Sequence, residues 1–210
     1  MRRKLLSVIV FIACINPLAT ARTLPFGPFF DRFHIGAEWG YTQCFFLARD
    51  YNFFSEEGYR IYEQDRGFSW HANAQILAQL SYAVSDRSML TLLGGYMGMG
   101  ENNRLFPLAL RYAFFPRSWS ADGLFVFAQG GVAWHTHATA GEPAALGATG
   151  GGYRIHLNED FALDLTVGLK YLHDHPAIPN PEGPGNVSAP NIRKNVAGHC
   201  ALDISIALSF

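Results

Sequence analysis

The last ten residues constrain the chain most. Leu202, Ile204, Ile206, Leu208 and Phe210 alternate with Ala201, Asp203, Ser205, Ala207 and Ser209. A period of two puts each set on its own face of a β-strand, one face suited to an apolar medium and the other to a polar one. The pattern recurs along the chain. Phe161, Leu163, Leu165, Val167, Leu169 and Tyr171 alternate with Ala162, Asp164, Thr166, Gly168 and Lys170. From Phe33, Ile35, Ala37, Trp39 and Tyr41 stand against His34, Gly36, Glu38, Gly40 and Thr42. Residues 70–84 and 108–114 behave alike, and 89–98, 124–135 and 145–157 are glycine-diluted versions, so eight strands are expected.

Connection lengths then order the strands. Residues 85–87, 116–122 and 158–160 are short links, whereas 48–67, 100–103, 136–143 and 174–194 are longer. Short and long links alternate, as in an up-and-down barrel, and pairing of the first strand with the last removes the open edges. Charge separates two kinds of barrel. A lipocalin-like barrel lines a ligand cavity with its apolar face and turns its polar face outward. Here the apolar faces carry no Asp, Glu, Lys or Arg, while the polar faces carry Glu38, Asp164 and Asp203 against Arg111, Arg154 and Lys170. Lys or Arg facing lipid at mid-depth costs about 2–4 kcal/mol, so a charge-free face reads as the lipid face. Aromatic residues near the strand ends (Tyr82, Phe114, Phe161 and Phe210; Phe45, Tyr96, Trp134 and Tyr171) read as two interfacial girdles. The expected fold is all-β: an eight-stranded antiparallel up-and-down transmembrane β-barrel over residues 33–210.

The N-terminus reads as an export signal. Arg2, Arg3 and Lys4 precede the apolar run 5–15, and Ala19-Thr20-Ala21 offers a small-residue cleavage site. Residues 1–21 are therefore expected to be removed, leaving 22–32 as a short periplasmic segment; the competing reading is a lipoprotein signal at Cys14. Losing three basic residues takes the formal net charge from −1 to −4, and no basic run suits nucleic acid. Both termini are then expected in the periplasm of a bacterial outer membrane.

The terminal strand ending in Phe210 looks like the signal read by the outer-membrane assembly machinery. Phe106-Pro107-Leu108, Arg111-Tyr112-Ala113-Phe114-Phe115 and the glycine-rich Phe125–Trp134 are similar to the middle of small barrels of this kind. The chain thus resembles the OmpA and OmpX barrels and the outer-membrane β-barrel proteins of Bacteroidetes. That resemblance implies fold and location and specifies no activity.

Candidate chemistry is sparse. The six interior charges must pair, because an eight-stranded barrel is only wide enough for side chains to fill; the alternative is a narrow channel. His135, His137, His173 and His175, with Asp174, offer a rim set for a transition metal, set against plain polar rim residues. A lipid A-modifying enzyme is a further alternative, with His173 or His175 as base and Ser188 as nucleophile. Cys44 faces inward and Cys200 outward, which forbids a disulfide unless a bulge near Cys44 inverts the register. The leading expectation is a non-enzymatic, cofactor-free monomer. Its partners are outer-membrane lipid, the assembly machinery and an unidentified ligand at the loops. Loop 48–67 offers Tyr51, Phe53, Phe54, Tyr59 and Tyr62 for contact, and loop 174–194 is proline-rich and expected to be extended or partly disordered. A folded barrel should migrate differently on a detergent gel before and after boiling; identical migration would contradict the fold.

Overall fold

The computed structural model describes residues 32–101, 103–136 and 143–210. The export signal, nearly all of the 22–32 segment and His137 lie outside them. The described residues form β1 (Phe33–Phe54), β2 (Arg60–Ser85), β3 (Ser88–Gly98), β4 (Arg104–Phe114), β5 (Gly123–His135), β6 (Ala144–His156), β7 (Ala162–Asp174) and β8 (Ile192–Ser209). Each strand pairs antiparallel with its chain neighbours, and β1 pairs with β8, so the sheet is a closed barrel. The closing seam runs from Gly36↔Ser209 to Phe53↔Ile192. Reciprocal backbone hydrogen bonds of 2.8 Å between Ile35 and Phe210 extend it to the last residue.

The two faces follow the alternation. Ile35, Tyr41, Leu110, Val167 and Ile204 are exposed on the outside, while Glu38, Thr42, Thr166 and Asp203 are buried inside. Along the outward faces no Asp, Glu, Lys or Arg occurs until Asp50, Arg66, Arg104 and Lys194, all near the end opposite the termini. That end is the loop end. Aromatic residues sit at both limits of the belt; Phe161 and Phe210 meet at 5.9 Å between ring centroids at the terminal end.

Two connections differ from expectation. Residues 48–67 are mostly strand: β1 and β2 stay paired to Phe54↔Arg60, leaving only a short turn around Gly58, whose φ of 88° suits glycine. The alternation there is masked because register slips between Cys44 and Phe46 against both neighbours. The inward parity of β1 changes from even (Glu38, Thr42, Cys44) to odd (Tyr51, Phe53). Tyr51 and Phe53, expected as exposed contact residues, are instead buried against Ile178, while Tyr59 and Tyr62 are exposed. The β7–β8 connection is correspondingly ordered: Ile178 and Val187 pack on that cluster, and Pro179 and Asn186 form an isolated bridge. The slip does not join the cysteines. Cys44 lies below it and stays inward, Cys200 faces outward opposite Phe46, and both thiols are free.

Glycine placement shapes the inner wall. Gly130 and Gly131 do not face Gly150–Gly152; Phe127 opposes Gly150 and Phe125 opposes Gly152. A Cβ on Gly152 would lie 2.5 Å from Phe125 Cζ, and one on Gly150 would lie 2.9 Å from Phe127 Cε1. These glycines let two rings lie flat against the inner wall. Gly152→Val should therefore lower the urea midpoint of unfolding by an overpacking cost of about 1–3 kcal/mol. Gly147→Ala, with nothing closer than 4.0 Å to its added carbon, should change it little.

Candidate functional site

Alternate residues of a barrel strand point inward, so the polar faces of six strands converge on one interior. At mid-height four of the six expected charges meet. Arg111 on β4 spans the interior to Glu38 on β1, with Nη1 donating to Oε2 at 2.7 Å and Nη2 to Oε1 at 3.2 Å. Lys170 Nζ on β7 donates to Asp203 Oδ1 on β8 at 2.8 Å. Gln75 ties the pairs together, its Nε2 reaching Glu38 Oε1 at 3.1 Å and Asp203 Oδ2 at 3.3 Å. Gln79 donates to Glu38 at 2.7 Å, Ser205 to Glu38 at 3.1 Å, and Thr42 to Asp203 at 2.8 Å. Arg111 Nε donates to Gln129 at 3.0 Å, and its guanidinium lies 4.8 Å from the Phe127 ring centre. Glu38 has no exposed surface, so hydrogen bonds from four side chains replace its water.

Arg154 and Asp164 stand apart from this group. Near the terminal end Arg154 grips Asp164 through two bonds of 2.7 and 2.6 Å. It donates to the Trp119 carbonyl at 3.2 Å and sits 4.7 Å from the Phe115 ring centre. The β4–β5 connection brings these partners in: Phe115 N donates to Arg87 O and Trp119 N to Asp86 O. Phe115 is buried with Met89, Phe125 and Phe127. In the turn beside them, the backbone N–H and the ring of His156 hold the Asp122 carboxyl below its ordinary range.

Above the charge group lies an apolar layer that includes Cys44, Leu93, Met97, Leu105 and Leu172. A smaller polar cluster follows at the loop end. Asp174 is fully buried; His135 Nε2 lies 3.0 Å from its Oδ1, and Asn103 Nδ2 donates to its Oδ2 at 2.8 Å. His199 Nε2 stands 3.9 Å away. Asn103 Oδ1, His135 Nδ1 and both ring nitrogens of His199 find no hydrogen-bond partner among the described residues. Of the expected rim metal set, the His173 and His175 rings lie edge to face at 5.4 Å, and His135 meets Asp174, but the two pairs do not converge. His135 turns inward to Asp174, and His175 Nδ1 meets the Asn195 carbonyl. His173 shares the outward parity of Tyr171. Among the described residues no three His, Cys, Asp or Glu side chains stand together as a metal site. Ser188, the nucleophile considered for an enzyme, is exposed just before the 3-10 turn Ala189–Asn191. Higher still, a hydrogen bond from Lys194 holds the Asp50 carboxyl below its usual range.

Sequence reasoning placed all six charges inside but missed the glutamines that join them. It also missed that Asp174 continues the inward series Asp164, Thr166, Lys170. Extending the period of two by two steps, through Leu172, would have found it.

No protein-family model and no curated protein matches the sequence. Among solved structures the chain is similar to the N-terminal β-barrel domain of Pseudomonas aeruginosa OprF, at 12% identity over 82% of this chain and 97% of that one, with a TM-score of 0.36. It is similar to the outer membrane protein AlkL, studied in lipid bilayers, at 11% identity over 83% and 89%, TM-score 0.39. The outer membrane protease OmpT of Escherichia coli gives 10% identity over 90% and 98%, TM-score 0.33.

Removing one partner of a buried pair strands the other charge. Arg111→Ala should cost about 3–5 kcal/mol in urea unfolding from lipid vesicles. The double replacement Glu38→Leu/Arg111→Met should cost less than the single one.

Proposed function

We propose that this chain is a small, non-enzymatic outer-membrane barrel whose interior is plugged and whose function lies at its loop end. The observation that carries this reading is the opposed polarity of the two faces. The outward belt is free of charge and rimmed by aromatic residues, while acids and bases pair inside. Such a surface fits hydrocarbon, and a closed antiparallel ring is the β architecture that leaves no backbone edge there. The terminal end faces the periplasm in this reading, consistent with the short links at that end, and Phe210 closes the strand presented to the assembly machinery.

Stacked side-chain layers favour a plug over a channel. A layer of aromatic rings with Arg154–Asp164, the four-charge group, the apolar layer at Met97 and Leu105, and the Asp174 cluster succeed one another along the barrel. An ion crossing them must displace paired charges and pass an apolar constriction. Purified protein in a planar bilayer should give no discrete conductance steps in neutral salt. Well-resolved steps in the unaltered protein would replace the plug with the channel reading.

A further inference from the structure

β1, β2 and β8 rise past the other strands and stand above the barrel as a three-stranded fin. Its two edges are finished differently. β7 pairs with β8 only up to Asp174↔Ala197, but the β7–β8 connection covers the edge beyond: His175 meets the Asn195 carbonyl, and Asn195 Nδ2 donates to Pro176 O. β3 pairs with β2 only up to Gln75↔Met97. From Arg60 to His71, β2 has β1 on one side and, among the described residues, no strand on the other. This stretch contains the two most exposed large apolar side chains described, Phe68 at 90% and Trp70 at 78%. Unpaired edges are normally guarded by charged side chains, proline, a bulge or a covering loop. Here there is no proline; the register against β1 slips between His71 and Phe68, and the charges are Arg60, Glu63, Asp65 and Arg66.

We propose that this edge is a docking site for an extended segment of another protein, added beside β2 as an antiparallel strand, with basic residues at alternate positions. The charge order selects that occupant. Glu63 and Asp65 share the inward face of β2, two residues apart, and neither belongs to an ion pair among the described residues. Arg49 lies across from Asp65 on β1, on the side away from the free edge. A partner strand meets Glu63 and Asp65 with successive same-face residues, so Lys or Arg at those two positions completes both pairs. Its other face meets Tyr62, Phe68 and Trp70, with Gln64 and Arg66 between them, which suits a partner face that is mainly apolar. Main-chain bonds supply affinity and the alternating side chains supply selection, as in strand addition generally.

A second copy of this chain fits poorly. In the orientation proposed above, two copies in one membrane stand the same way up, so their β2 strands run parallel. A two-fold axis along the strands would set each residue beside its own counterpart with the side chains on opposite faces. Neighbouring strands require same-face partners, so that symmetric ladder cannot form.

The test uses the whole barrel in detergent micelles and a short peptide alternating Lys and Val. Its binding should slow amide hydrogen exchange at residues 61–71. The Glu–Val counterpart should bind about tenfold or more weakly, since it sets like charges opposite one another at two positions. Glu63→Lys/Asp65→Lys, checked for folding by its heat-dependent gel shift, should invert that preference. A Lys-matched peptide with Pro at alternate Val positions should lose binding, because it cannot form the ladder. Equal binding of the proline peptide would reduce the site to simple charge attraction and overturn strand addition. Absence of binding by the Lys–Val peptide, or a preference unchanged by the charge swap, would also overturn it. None of these results depends on conductance, so failure here leaves the plug reading standing.

Discussion

Closure of the sheet is the constraint on which the rest depends. A chain whose outward face is apolar over its whole circumference has no water there to satisfy a free strand edge, so β1 must find β8. The seam from Gly36↔Ser209 to Phe53↔Ile192, finished by the reciprocal bonds of Ile35 and Phe210, meets that demand. Closing eight strands in turn leaves an interior of side-chain width, and whatever the inward positions carry must fit and be satisfied there. Glu38, Arg111, Lys170 and Asp203 are therefore joined by glutamines and hydroxyls instead of water. Phe125 and Phe127 fit because Gly150 and Gly152 stand opposite them.

The change in β1 parity between Cys44 and Phe46 divides the molecule. Below it, the outward faces of β1, β2 and β8 carry no charged side chain, and Glu38 and Asp203 are inside. Above it β1 inverts: Tyr51 and Phe53 turn inward onto Ile178 and Asp50 turns outward, while β2 keeps its parity, with Glu63 and Asp65 inward and Arg66 outward. An inversion of this kind is expected where the surroundings change from hydrocarbon to water, since a fin in water needs its own small apolar core. β1 and β2 stay paired beyond the end of β3, so a nominal loop is strand and the edge of β2 is open.

Legibility followed the same division. Where one face is apolar and the other polar, the period of two could be read directly, and Glu38, Arg111, Asp164, Lys170 and Asp203 fell on the inside. In 48–67 charges occur on both faces and a register slip interrupts the parity, so the pattern looked like a loop. The rim histidines were misjudged for a related reason. His135 and His173 look alike in sequence, but the alternation of β5 puts His135 inward beside Asp174 and that of β7 puts His173 outward.

The sequence alone determined the strand period, the number of strands and, short of the slip in β1, which residues face inward, because these follow from side-chain alternation within single segments. Only the tertiary structure decided who meets whom. Glu38 with Arg111, Arg154 with Asp164, Asp174 with His135 and Phe125 against Gly152 are contacts between strands, fixed by register around a closed ring. Register is a property of the whole sheet, and no single strand carries it.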